Sequence, residues 1–111
     1  MDTISWEDFT KVDMRVGTII AVDDFPEARN PSYKLRIDFG DLGEKKSSAQ
    51  ITSLYSKEDL LGRQIIAVVN FPKKQIGPFM SECLVLGIYG EGNDVILLQP
   101  SGSVQNGWKV G

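Results

Sequence analysis

The sequence contains no histidine and a single cysteine, Cys83. The first absence removes the commonest general base, the commonest transition-metal ligand and every catalytic triad that needs an imidazole. The second excludes an internal disulfide and a thiolate zinc site, a usage that suits the reducing cytoplasm. Long hydrophobic runs are also missing. The longest, Ile65-Ile66-Ala67-Val68-Val69, falls far short of the roughly 20 residues that a membrane helix needs. Acidic Glu7 and Asp8 stand near the start, where a secretory signal would be basic and then apolar, so no targeting segment and no membrane insertion are expected. There is no P-loop, no GxGxxG and no metal-ligand spacing. The hydroxyls of Ser47, Ser48 and Ser81 have only lysines as candidate bases nearby. These absences predict a protein without catalysis, metal or cofactor.

An excess of positive charge is lacking too: 12 basic residues face 15 acidic ones, for a net charge of −3. The distribution is uneven. Residues 1–27 hold two basic and seven acidic side chains, residues 28–81 nine and five, and residues 82–111 one and three. A basic middle inside an acidic chain gives either one positive face on a negative body or a mixed, solvated surface.

What is present fits one small domain spanning residues 1–111. The chain has 41% apolar and 24% charged residues, and no repeat, linker or low-complexity tract divides it. Ser5-Trp6-Glu7-Asp8 has the spacing of a helix cap. From Val12 the period becomes two: Val12, Met14, Val16 and Ile20 alternate with Asp13, Arg15 and Gly17, predicting a long strand with a bulge or bend at Gly17. Residues 23–32 read as a loop. A second strand presents Leu35, Ile37 and Phe39 on one face and Lys34, Arg36 and Asp38 on the other. A third strand is expected from about Lys46 to Thr52. Ser56-Lys57-Glu58-Asp59 opens a short helix that Gly62 closes. A fourth strand covers Gln64 to Asn70, a long loop runs from Phe71 to Ser81, and further strands occupy Cys83–Tyr89 and Val95–Leu98. This order predicts an all-β, five-stranded OB-fold barrel with a short helix between strands 3 and 4 and extra N- and C-terminal segments.

The surface that such a barrel uses is the outer face of strands 2 and 3 with the flanking loops. Here it would display Lys34 and Arg36, Lys45 and Lys46, and Ser48, Gln50 and Thr52 if Ala49 and Ile51 face inward. The loop after strand 4 adds Phe71, Lys73, Lys74, Gln75, Phe79 and Ser81. Cations interleaved with aromatics suit a groove that holds phosphates and stacks bases. The same mixture suits an extended peptide. Phe71 and Phe79 serve equally well as plugs beneath the loop, Trp6 and Trp108 read as packing residues, and Arg15 beside Asp13 reads as a structural pair. Val104, Trp108 and Val110 fall outside the five strands and are expected to bury against a second copy, as a dimer interface.

Phe9-Thr10-Lys11-Val12-Asp13-Met14-Arg15-Val16-Gly17-Thr18-Ile19 resembles the opening of the tRNA-binding domain family. Asp38-Phe39-Gly40, Leu61-Gly62 and Asn70 stand at matching places, so the resemblance spans nearly the whole chain. Asp24–Arg29, Ser47–Thr52, Ile66–Pro72, Ser81–Gly87, Leu97–Pro100 and Asn106–Gly111 are similar to a chaperone branch of that family. The resemblance implies a homodimeric OB-fold without catalysis. It implies binding of tRNA or other structured RNA in the wider family, and of unfolded or exported polypeptide in that branch, with Asn70 added to the groove. Synthetase-type members read Asn-Leu-Lys-Pro and Ser-x-Gly-Met where this chain has Asn70-Phe71-Pro72-Lys73 and Ser81-Glu82-Cys83-Leu84, and Ser-Gly where Ala49-Gln50 stands. The bulkier apolar residues and the acid at Glu82 favour a peptide-accepting groove.

Overall fold

The computed structural model describes all 111 residues. Helix α1 (Trp6–Thr10) starts at a capping box in which Ser5 and Asp8 exchange side-chain and backbone hydrogen bonds of 3.0 and 3.2 Å. Strand β1 (Met14–Asp24) follows, then β2 (Tyr33–Asp38), β3 (Glu44–Ala49), helix α2 (Lys57–Leu60) and β4 (Gln64–Val68). Beyond these lie β5 (Lys74–Ile76), β6 (Phe79–Ser81), β7 (Leu84–Val85), β8 (Gly87–Tyr89) and β9 (Val95–Leu97). Five strands form one antiparallel sheet in the order β3-β2-β1-β4-β7, while β5–β6 and β8–β9 are separate two-stranded ribbons.

The sheet curls until β3 meets the segment before β7. The Glu82 N–H donates to the Lys46 carbonyl at 2.7 Å, and the Ser47 hydroxyl donates to the Cys83 carbonyl at 2.9 Å. The result is a nearly closed, OB-like barrel. Alternation along the strands sends Ile19, Leu35, Ile37, Ile65 and Ala67 inward, and Leu60 of α2 plugs the same core. Each fully buried Leu, Ile or Phe contributes roughly 1.5–3 kcal/mol against exposure, which makes this the main stabilising term.

Several expectations are corrected. The strand irregularity lies between Ile19 and Ala21, not at Gly17. Gly17 faces the core, where a Cβ would stand 2.6 Å from Ile37 and 2.7 Å from the Phe39 ring. It is glycine because the facing side chains leave no room. The third strand begins at Glu44 and ends at Ala49, short of Thr52. The expected loop from Phe71 to Ser81 contains the β5–β6 hairpin. The last long strand divides at Leu86, whose N–H donates to Ile66 O while its carbonyl accepts from Leu98 N–H.

The chain ends are tied down. β1 pairs with β2 only from Thr18 onward, and the C-terminal tail fills the edge left open before it. There Gly107 N–H donates to Val16 O, Val16 N–H to Trp108 O and Val110 N–H to Met14 O, at 2.7, 3.0 and 2.9 Å. At the other end, Asn70 accepts the Asp13 N–H at 3.0 Å and donates to Lys11 O at 2.7 Å, fastening the α1 segment to the end of β4. No helix is long and apolar enough to cross a membrane.

Candidate functional site

The β2–β3 register pairs Arg36 with Lys46 and Lys34 with Ser48, which puts these four side chains on the outer face. Lys45 pairs with Ile37 and Ser47 with Leu35, so both belong to the inward row. The adjacent lysines 45 and 46 therefore point apart.

Two phenylalanines complete the outer face. Phe25, in the turn after β1, is buried, and its ring centroid lies 5.4 Å from that of Phe79 on β6, at an interplanar angle of 59°. The Lys34 ammonium stands 5.5 Å from the Phe25 ring and the Lys46 ammonium 5.4 Å from the Phe79 ring. Each cation–π contact contributes about 0.5–1 kcal/mol at an exposed site and holds its lysine over the ring. Neither lysine is in an ion pair, whereas Arg36 pairs with Glu44 at 3.8 Å and Lys73 with Glu82 at 3.4 Å. The Lys46 N–H donates to Glu82, and this hydrogen bond above all holds the Glu82 carboxyl below its usual range, with Lys73 adding to it and partial burial opposing. The face is a cationic pair set on an aromatic pair.

Beside it opens a groove of about 570 Å³. The hairpin contributes Lys74, Ile76 and Ser81; the end of β3 and the following turn contribute Ser48 to Ser53; the far wall is Cys83 to Val85, Tyr89 and Gly92 to Val95. Its lining holds one lysine, Lys74, and one acid, Asp94. Ile51 is anchored in the core, yet residues 50–54 make no well-formed backbone hydrogen bond. Residues 50–53 of this stretch line the groove. Burial pushes the Cys83 thiol up to about 11, so it stays protonated and unreactive. No three His, Cys, Asp or Glu side chains come together to hold a metal ion.

The residues singled out in the sequence thus separate. Lys34, Arg36, Lys46 and Phe79 share the cationic face. Ser48 and Ser81, joined by a 3.3 Å hydrogen bond, stand between the face and the groove. Gln50, Thr52 and Lys74 line the groove. Asn70 is occupied with the α1 segment, and Phe71 is 53% exposed and joins no aromatic pair. Phe25 lies in a loop, where no strand or helix period marks it. The available signal was an aromatic between Asp24 and Pro26, in a stretch otherwise polar. Arg15 bonds Asp13 at 2.6 Å and the Gly107 carbonyl at 3.1 Å, a structural pair that also lowers the Asp13 carboxyl. Of the three residues expected at an interface, Val104 and Val110 are half-buried within the single chain and Trp108 is 55% exposed. Leu84, Ile88 and Ile96 are also exposed, the last two directly opposite each other on the β8–β9 ribbon.

A nearly closed antiparallel barrel with cations and aromatics on its β2–β3 face defines an OB-type binding domain. The chain belongs to the tRNA-binding domain family: residues 14–109 match the model described as "Putative tRNA binding domain". It is similar to the chaperone CsaA of Bacillus anthracis str. Ames, at 52% identity and a TM-score of 0.95 over 99% of this chain and 100% of that one. The CsaA chaperone protein of Picrophilus torridus is 54% identical, with a TM-score of 0.92 over 98% of this chain and 100% of that one. A methionine–tRNA ligase of Chlorobium chlorochromatii (strain CaD3) is 33% identical over 107 residues, which are 96% of this chain. The chain spans only 15% of that ligase's length.

Proposed function

We propose that this protein binds tRNA or another structured RNA through the outer face of β2 and β3, by binding alone and without chemistry on the ligand. The observation that carries this reading is the pair Lys34 and Lys46, unpaired with any acid and each held over one ring of the tilted pair Phe25 and Phe79. Such an arrangement offers charge to phosphates and, at half-buried Phe79, ring surface to an unstacked base, with buried Phe25 as its support. The test is a tRNA titration at several salt concentrations. Binding that weakens log-linearly with salt, at about −0.7 per single-strand phosphate contact, supports the reading; no binding at low salt overturns it.

A second ligand is favoured by the adjoining groove. We infer that it accepts unfolded or export-bound polypeptide, as a chaperone does in the cytoplasm. Its near-neutral lining does not attract phosphate, and the unpaired peptide groups of residues 50–54 suit another backbone. The likeness to two proteins described as CsaA chaperones agrees with this. The working unit is proposed to be a homodimer, with exposed Ile88, Ile96 and Trp108 meeting their counterparts. Replacing Ile88 and Ile96 by Glu is expected to yield monomer in sedimentation velocity. A variant that remains dimeric places the interface elsewhere.

A further inference from the structure

The cationic face contains one acid that is fixed more firmly than the lysine it pairs with. Glu82 brackets the backbone of Lys46 from both sides. Its N–H donates to the Lys46 carbonyl at 2.7 Å, and its Oε1 accepts the Lys46 N–H at 2.9 Å. Its Oε2 lies 3.4 Å from the Lys73 ammonium. The Glu82 side chain is 22% exposed and that of Lys73 is 67% exposed. The carboxylate is thus held by the main chain at the barrel's closing seam, while the lysine reaches it from solvent. A phosphate arriving at Lys46 meets this fixed negative charge, and to use Lys73 it must first draw that lysine from its partner. Charges this close act within the screening length of about 10 Å at 0.1 M salt.

We propose that Glu82 is a specificity-determining residue of the RNA face, withholding Lys73 from phosphates and repelling polyanions from Lys46. The proposal rests on the RNA reading above and adds what limits it: the face then recruits RNA through Lys34 and Lys46, and Lys73 contributes little.

The substitution Glu82→Gln separates charge from structure, because the amide oxygen can still accept the Lys46 N–H. The expected result is tRNA affinity about three- to tenfold higher at low salt, with the log–log salt slope steeper by about 0.7 as Lys73 gains a phosphate contact. In the double variant Lys73→Ala with Glu82→Gln, the extra slope should vanish while part of the affinity gain stays. Lys73→Ala alone should leave the slope unchanged. Either of two results overturns the proposal: Glu82→Gln binding tRNA with the affinity and slope of the parent, or Lys73→Ala alone flattening the slope by about 0.7. The second arm does not depend on the Glu82 variant folding. If the parent protein binds no tRNA at low salt, the RNA reading itself falls; if it binds and ignores Glu82→Gln, only this inference falls.

Discussion

The cationic face and the neighbouring groove are built from the same strand, yet they differ in chemistry. β3 runs from charged Glu44, Lys45 and Lys46 to uncharged Ser47, Ser48 and Ala49, and Gln50 continues it into the turn. Its first half supplies a cation to an aromatic pair, and its end opens on a groove with one lysine and one acid. The hairpin repeats this split, with Phe79 toward Phe25 and Lys74, Ile76 and Ser81 along the groove. A gradient of charge along six residues is enough to place two kinds of surface side by side. On the proposed reading, electrostatic binding belongs to the first and shape and backbone pairing to the second, so the two should respond differently to salt and to substitution.

The largest expected effect abolishes the difference by removing the support of both surfaces. Gly17→Ala forces a methyl group into Ile37 and Phe39. Overpacking of this kind costs about 1–3 kcal/mol, and thermal unfolding should show a melting temperature lower by on the order of 5–15 °C. An unchanged melting temperature would mean that the core yields more easily than the close packing implies.

The double substitution of Lys34 and Lys46 by Ala sharpens the comparison. Affinity for tRNA at low salt should fall about tenfold and the salt slope should flatten by about 1.4. Binding of a reduced, unfolded polypeptide should be unaffected, as judged by fluorescence anisotropy. Equal losses for both ligands would show that the two surfaces act as one.

The converse substitution is Tyr89→Ala, which removes a 91% exposed ring from the groove wall. Polypeptide binding should weaken about threefold, in the range of a single partly buried aromatic contact, with tRNA binding unchanged. Parallel titrations of both ligands would decide it.

The smallest effect concerns pH. Glu82 is lowered from its ordinary value of 4.5, so its bonds stabilise the folded protein above that pH and the contribution is lost as pH falls further. The melting temperature should decline below about pH 4.5, and less steeply in Glu82→Gln. Asp13, lowered by Arg15, adds a decline of the same sign. Identical pH profiles for parent and variant would remove Glu82 from the seam's energetics.

Much of this was legible before any coordinates. The alternation of β2 placed Leu35 and Ile37 inside and Lys34 and Arg36 outside, because a strand's period of two leaves no other choice once one face is buried. The two caps at Ser5 and Ser56 were equally readable, since capping boxes are local. Other features rest on contacts between distant residues. Lys45 and Lys46 form one dipeptide in sequence and two faces in the strand. Phe25 pairs with Phe79, 54 positions further along the chain. Asn70, counted with the groove, serves the α1 segment instead. The tail reads as unplaced apolar residues, and only the vacant edge of β1 tells where its backbone goes.

By itself the sequence determined the class of fold, the inward and outward faces of its strands and the absence of imidazole chemistry, all of which depend on composition and short periods. The tertiary structure adds which cations stay free and which are paired, which aromatics meet, and how the residues expected in one groove are distributed between the outer face and the groove beside it. Those outcomes depend on how the barrel closes: the seam at Lys46 and Glu82 joins segments 36 residues apart, and no local pattern specifies that meeting.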